Sequence, residues 1–408
     1  MAGLPIDIKD IFEVFGDMDA ARQRPVCVAL LIDASAPEDV QDFAKSSFAS
    51  TEANARVYAS YYEGSQLQLP HGCDLALIVA AYSEHTGALS AAIRAAGTPV
   101  LVLTTLPETV RKLADATGAP LLEKDLVAPL VVMDPSALPS ADAFFQEPYP
   151  LDDAREMALH TAMGEWIVDV FAEKRLAFAA CFPFVRRPLA AEAVKTTSMQ
   201  NAAVGAVVLI PGADMPVMTA NQAKMILQSA AAYGQKMGAE RTKELAGVVA
   251  GAFAFRTAAR QAVGAFPGVG WLIKGGIGYA GTLAMGRAAI AYFEATVADG
   301  KPVEEALEAA RAEAERVAAI AANQDNPVQA AAAVVKDYAT TAAGKARGVV
   351  ERAIPAAQDL VNNVADAAGT TPTELGKKAV DSFCEATGTT PSEYGKQALK
   401  SFLSKKSK

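Results

Sequence analysis

The 408-residue sequence is poor in aromatic side chains, at 7%, and holds four cysteines, Cys27, Cys73, Cys181 and Cys384. The cysteines stand far apart and none forms a Cys-x-x-Cys pair, which excludes a zinc ribbon or a disulfide framework. Isolated thiols of this kind fit reduced, mostly buried residues in a cytoplasmic protein. The opening Met-Ala-Gly-Leu-Pro-Ile-Asp has neither a basic stretch nor an apolar core, so no secretory signal is expected. No uninterrupted apolar run reaches the ~18 residues that define a spanning helix. Basic residues are also scarce: 37 Lys and Arg face 46 Asp and Glu, for a formal net charge of -9. Residues 1–150 are the most lopsided, with 9 basic against 20 acidic side chains. Such an acidic field argues against nucleic-acid binding, which needs positive charge along the phosphates. The three histidines, His71, His85 and His160, lie apart with no partners at ligand spacing, so no metal, cofactor or catalytic triad is expected.

What is present is a foldable chain, 51% hydrophobic and 20% charged, whose length favours two or three domains. Residues 6–23 read as an amphipathic helix. Val26–Ile32 is a short apolar run between Pro25 and Asp33, the pattern of a buried strand. A helix over Pro37–Phe48, an alternating segment Ala55–Tyr62, a strand Asp74–Ala81, a helix Thr86–Ala96, a strand Pro99–Thr105 and a helix Pro107–Thr117 closed by Gly118 follow in turn. Strands alternating with helices of this length predict a parallel sheet covered on both faces. Four prolines between residues 134 and 150 mark a linker. From Leu151 the pattern is helical, broken at Ile210–Pro216 and Phe266–Gly270. Alanine, the strongest helix former, dominates from about residue 245.

The organisation expected is therefore an N-terminal helix over residues 1–24, an α/β domain over 25–133 and a linker over 134–150. A helical domain over 151–298 follows, with a glycine-rich hairpin at 245–293, then a charged helical extension over 299–350 and a tail over 351–408. The fold class is α/β plus all-α: a parallel-sheet Rossmann-like or GTPase-like domain, then an alanine-rich helical bundle with helical tail repeats. Those repeats are explicit, since Thr370–Phe383 matches Thr389–Phe402 at a spacing of 19. Each opens on a capping threonine, Thr371 or Thr390, with proline next and Glu374 or Glu393 three positions after the cap. Short helices of this size are unstable alone and must dock on the chain, a partner or a surface.

Three motifs bear on nucleotide chemistry. A phosphate-binding loop needs glycines, a lysine and a Ser or Thr; after Ile32 the chain has Asp-Ala-Ser-Ala-Pro-Glu-Asp-Val, with no glycine or lysine and extra carboxylates. After Thr105, where a GTPase reads guanine with Asn-Lys-x-Asp, stand Leu106, Pro107 and Glu108. Gly276-Ile-Gly-Tyr-Ala-Gly281 is a literal Gly-x-Gly-x-x-Gly, but it lies in a helical run with no preceding strand, where close helix packing explains the glycines better. The segment Leu245–Phe293 reads as two helices joined at Phe266–Gly268. Its charges, Arg256, Arg260, Lys274 and Arg287, together with Trp271, are the candidate contacts to a membrane or a partner. In a soluble bundle the arginines sit at the surface or in ion pairs; in a membrane hairpin they are costly unless they snorkel or pair.

Trp166–Phe293 resembles the YcjF-like, GTPase-associated helical family, a domain of unsettled role often fused behind an Era-like GTPase domain. The residues that carry the resemblance are Arg175–Pro183 with Val185–Arg187, Ile210–Pro216, Thr219–Gln222, Met225 and Ile226, Tyr233–Gln235 and Phe266–Trp271, followed by the glycine-rich helix. The resemblance implies membrane association and the company of GTPases, and it makes the preceding domain look like a degenerate GTPase. The expectation is a non-enzymatic, membrane-associated, cytoplasmic regulator or scaffold. Its partners would be a membrane surface or hydrophobic core, another protein, or a second copy of the chain. The alternatives are an atypical GTP-binding hydrolase and a soluble helical oligomer.

Overall fold

The computed structural model describes residues 18–64, 69–129, 150–207, 214–235 and 270–322. Its first elements are β1 (Val26–Asp33), α1 (Glu38–Ser47), β2 (Ala55–Tyr62), β3 (Leu75–Val79), α2 (Thr86–Ala95), β4 (Val100–Leu103), α3 (Pro107–Ala116) and β5 (Leu126–Val127). The five strands form one parallel sheet in the order β2-β1-β3-β4-β5. Every residue of β1, β3 and β4 is buried, as expected of Val/Leu/Ile runs covered on both faces. Each fully buried Val, Leu or Ile there contributes about 1.5–3 kcal/mol. β5 is two residues long, carries no periodic signal, and was not legible in the sequence.

Parallel strands join through right-handed crossovers, which send α1 to one face and α2 and α3 to the other, because the strand order reverses at β1. The connection from β2 to β3 has no helix among its described residues, although its direction would place one on the α2 face. Tyr62 marks that face, since its hydroxyl meets Thr86 Oγ1 at 2.9 Å. Two and four residues before Tyr62 on the same face, Ser60 and Tyr58 are exposed, Tyr58 to 48%. The helices end as glycine predicts: Gly118 at φ 72° follows α3, and the Ala119 amide donates back to the Ala114 carbonyl at 3.0 Å.

Beyond the sheet come α4 (Asp153–Val170), α5 (Arg175–Cys181), α6 (Arg186–Val207), α7 (Asp214–Ala232), α8 (Gly270–Phe293) and α9 (Val303–Ala322). Asp152 caps α4, accepting from the Arg155 amide at 2.8 Å. The chain divides into two compact units. Among the described residues one holds 18–193 and 227–235, the other 194–226 and 270–322. The predicted linker (apart from Pro150), the 245–269 arm of the hairpin and the tail repeats lie outside the described residues.

In the α/β unit, α4 and α1 meet through rings. Phe43 and His160 have centroids 4.6 Å apart, and His160 stacks on Phe184 at 5.4 Å. A second tie runs through Asp125, which is 6% exposed: it receives Trp166 Nε1 at 3.3 Å and Arg94 Nη2 at 3.4 Å, joining the start of β5 to α4 and α2. In the helical unit, buried amides knit the helices. Asn201 of α6 and Gln222 of α7 both donate to Thr282 Oγ1 of α8, at 2.9 and 3.0 Å, and Asn221 donates to Asn201 Oδ1 at 2.9 Å.

Candidate functional site

In an open parallel sheet, ligands bind beyond the carboxyl ends of the strands where the order reverses, here between β1 and β3. That position depends on what the backbone amides of the first loops face. β1 ends at Asp33, a residue only 5% exposed. One carboxylate oxygen accepts the Ser35 amide at 2.9 Å and the Ser35 hydroxyl at 2.7 Å. The other accepts the amides of Ala81 and Ser83, beyond the end of β3, at 3.1 and 2.9 Å. Amides that could cradle a phosphate therefore converge on the protein's own carboxylate. Charge-assisted bonds of this kind are the strong class, and a carboxylate with several amide donors is well satisfied.

The neighbouring strand end gives little for guanine recognition. Thr104 Oγ1 accepts the Leu106 amide at 2.9 Å, fixing the turn into α3, and Pro107 opens that helix. Thr105 is buried, and its hydroxyl has no hydrogen-bond partner. No group of three or more His, Cys, Asp or Glu side chains placed to hold a metal occurs among the described residues.

The predicted interaction residues divide three ways. Arg256 and Arg260 lie outside the described residues, while Trp271 and Lys274 fall in the first turns of α8. Arg287 sits lower on the same helix, where its Nε pairs with Glu313 Oε1 of α9 at 2.7 Å; the two side chains are 10% and 23% exposed. Glu313 also holds Arg316 at 2.9 Å. An ion pair between protein helices is what Arg287 makes, an arrangement that both the soluble-bundle and the membrane-hairpin readings allow. No helix among the described residues is long and apolar enough to cross a membrane. The glycines of Gly276–Gly281 lie inside α8, which gives them no strand-to-helix turn for a pyrophosphate.

Comparison with known protein families, curated proteins and solved structures finds no match to this chain.

Sequence reasoning missed the role of Asp33. It stood among the carboxylates that make the loop unlike a phosphate cradle, but nothing in the sequence brings Ala81 and Ser83 beside it. His160 was missed in the same way. Its Nε2 lies 2.8 Å from Ser47 Oγ, and Ser47 Oγ donates its one proton to the Phe43 carbonyl at 2.6 Å, so the imidazole must donate. Burial pushes the His160 pKa down. Ser47 is itself buried and committed to the helix backbone, so this pair is a packing joint.

Proposed function

We propose that this protein is a non-catalytic regulator or scaffold, whose α/β unit has a nucleotide-type topology but serves as a binding or supporting module. The observation that carries the reading is Asp33, which accepts the Ser35, Ala81 and Ser83 amides at the switch point where a nucleotide's phosphates would need them. The absence of a phosphate-loop lysine and of a guanine-reading motif in the sequence points the same way. The resemblance of Trp166–Phe293 to the GTPase-associated helical family supports cytoplasmic work at a membrane, with attachment or assembly through the segment 245–293. The Arg287–Glu313 pair favours a peripheral mode, because it commits the far end of that segment to protein contacts.

Calorimetry of the full-length protein with GTP or ATP and magnesium tests the first part. No saturable micromolar binding is expected, and clean micromolar binding would overturn the reading. Cell fractionation tests the second. The expected result is protein in the membrane fraction that a carbonate wash releases; protein wholly in the soluble fraction before the wash would remove the membrane role.

A further inference from the structure

The amino end of the sheet holds a different arrangement. The loop Ala49–Glu52, between α1 and β2, faces the end of α5 and the start of α6 across a cavity of about 260 Å³ lined by Ser50, Thr51, Glu52, Cys181, Pro183 and Arg186, among others. Arg186 is half-buried there. Its Nε is committed to the Ala179 carbonyl at 3.2 Å, whereas no carboxylate lies within ion-pair distance of its guanidinium among the described residues. A second half-buried guanidinium, that of Arg22, stands beside it. It is pinned against the carboxyl end of α7 by its bond to the Ala231 carbonyl, and it lies 2.8 Å from where a Cβ on Gly234 would be. Arg22 also has no carboxylate at ion-pair distance among the described residues.

Burial lowers the pKa of both arginines, and the Arg186 charge adds to the lowering of Arg22, so two positive charges are held close together in a partly dry place. The compensating acids are Asp19 and Glu52 for Arg22 and Glu52 for Arg186; both carboxylates are exposed and neither reaches ion-pair distance. Cys181 is no rival anion: burial and Glu52 push its thiol up to about 11, so it lines the cavity as a neutral group. Its sulfur meets the side-chain oxygen of Asn54, whose amide nitrogen donates to the Arg22 and Arg24 carbonyls at 3.1 and 2.9 Å and ties the wall of the cavity to the turn that leads into β1.

A half-buried guanidinium that faces a cavity with no carboxylate at ion-pair distance, as Arg186 does, is costly without an anion to face. We propose that this cavity is a binding site for a phosphate group, with Arg186 as the direct ligand, the Ser50 and Thr51 hydroxyls as further donors and Arg22 as the second charge that holds the anion. A tetrahedral phosphate presents oxygens in several directions and suits donors spread around a cavity. A planar carboxylate is satisfied by one guanidinium fork and leaves the hydroxyls unused. The site lies at the opposite end of the sheet from Asp33, so it is independent of the reading of the switch point.

The test is calorimetric titration of the full-length protein with inorganic phosphate at constant ionic strength, with chloride as the control anion. Saturable one-to-one binding is expected. Arg186→Gln should weaken it by about tenfold or more, the loss of a charge-assisted contact, and Arg22→Gln by a smaller factor. Glu52→Gln removes the competing carboxylate from an exposed position and should tighten binding, so the proposal stays testable if the arginine variants fail to fold. Glycerol 3-phosphate run beside phosphate distinguishes sources: tighter binding of the ester assigns the site to a phosphorylated metabolite, equal binding to free phosphate. Absence of saturable binding, affinity unchanged in both Arg186→Gln and Glu52→Gln, or malonate binding as well as phosphate would each overturn the proposal.

Discussion

Burial between Phe43 and Phe184 holds the His160 imidazole below its ordinary pKa, with a hydrogen bond to Ser47 as its polar contact. The unfolded chain protonates this ring near pH 6.5, whereas the folded protein resists until the pH is lower. Between those two values the unfolded state binds more protons, so stability falls as pH drops through about 6.5 and levels off below the folded pKa. Urea unfolding of the wild type and His160→Gln between pH 7.5 and 5.5 checks this. The expected outcome is a wild-type midpoint that falls more steeply than the variant's, and parallel curves would remove His160 as a source of the pH dependence. None of this was readable in advance, because Ser47 lies 113 residues away from His160 in sequence. Asp33 makes the same point: a carboxylate's sign is evident from sequence, but its donors come from two segments that meet only once β1 and β3 pair. Arg186 and Arg22 were equally silent, since nothing about an arginine's sequence neighbours reveals whether a carboxylate will reach it.

Elements were far more legible than contacts. Unbroken apolar runs identified β1, β3 and β4, and their bounds shift by at most two residues at either end between sequence and structure. β2 was visible as alternation, the mark of a strand at the sheet's edge. β5 was not, because two buried residues make no pattern. The signals of proline at the start and glycine past the end meet on α3, at Pro107 and Gly118, while α1 shows the first at Pro37 and α2 the second at Gly97. In the helical unit the small residues had a reading that the structure repeats at Gly286, where any side chain would run into Val194 of α6. Replacing Gly286 by Ala is expected to destabilise the protein by about 1–3 kcal/mol through overpacking, net of the gain in helix propensity. Chemical denaturation measures it, and a stabilised variant would mean that α8 and α6 have room to spare. The exposed Tyr58 belongs to this scale too, for it sits on the face where no β2–β3 crossover helix stands among the described residues.

For the whole molecule, the sequence showed the division of labour, with a compact α/β unit followed by a helical remainder, and left the assembly state open. Residues 371–408 are the basic exception in an acidic chain, with 7 lysines against 4 acidic residues, and they carry both tail repeats except for the first threonine. If the repeats join subunits, deletion of residues 370–408 should lower the mass measured by light scattering without altering the melting of the remainder. An unchanged mass would remove self-association from their roles. The acidic front half and the absence of long apolar runs were plain from composition, and they already pointed away from nucleic acid and from a simple spanning helix.

The carboxylate at the end of β1 has one further consequence. It behaves as a ligand tethered to its own receptor. Groups held in the right place by the chain act as though present at enormous local concentration, on the order of 10⁵ M or more in well-oriented cases. On the proposed reading a dissolved phosphate would have to compete against that tethered group for the same amides. On that reading the switch point of this sheet is a seat already taken, and an evolutionary path to a nucleotide site there would begin by evicting Asp33 before adding a single glycine or lysine.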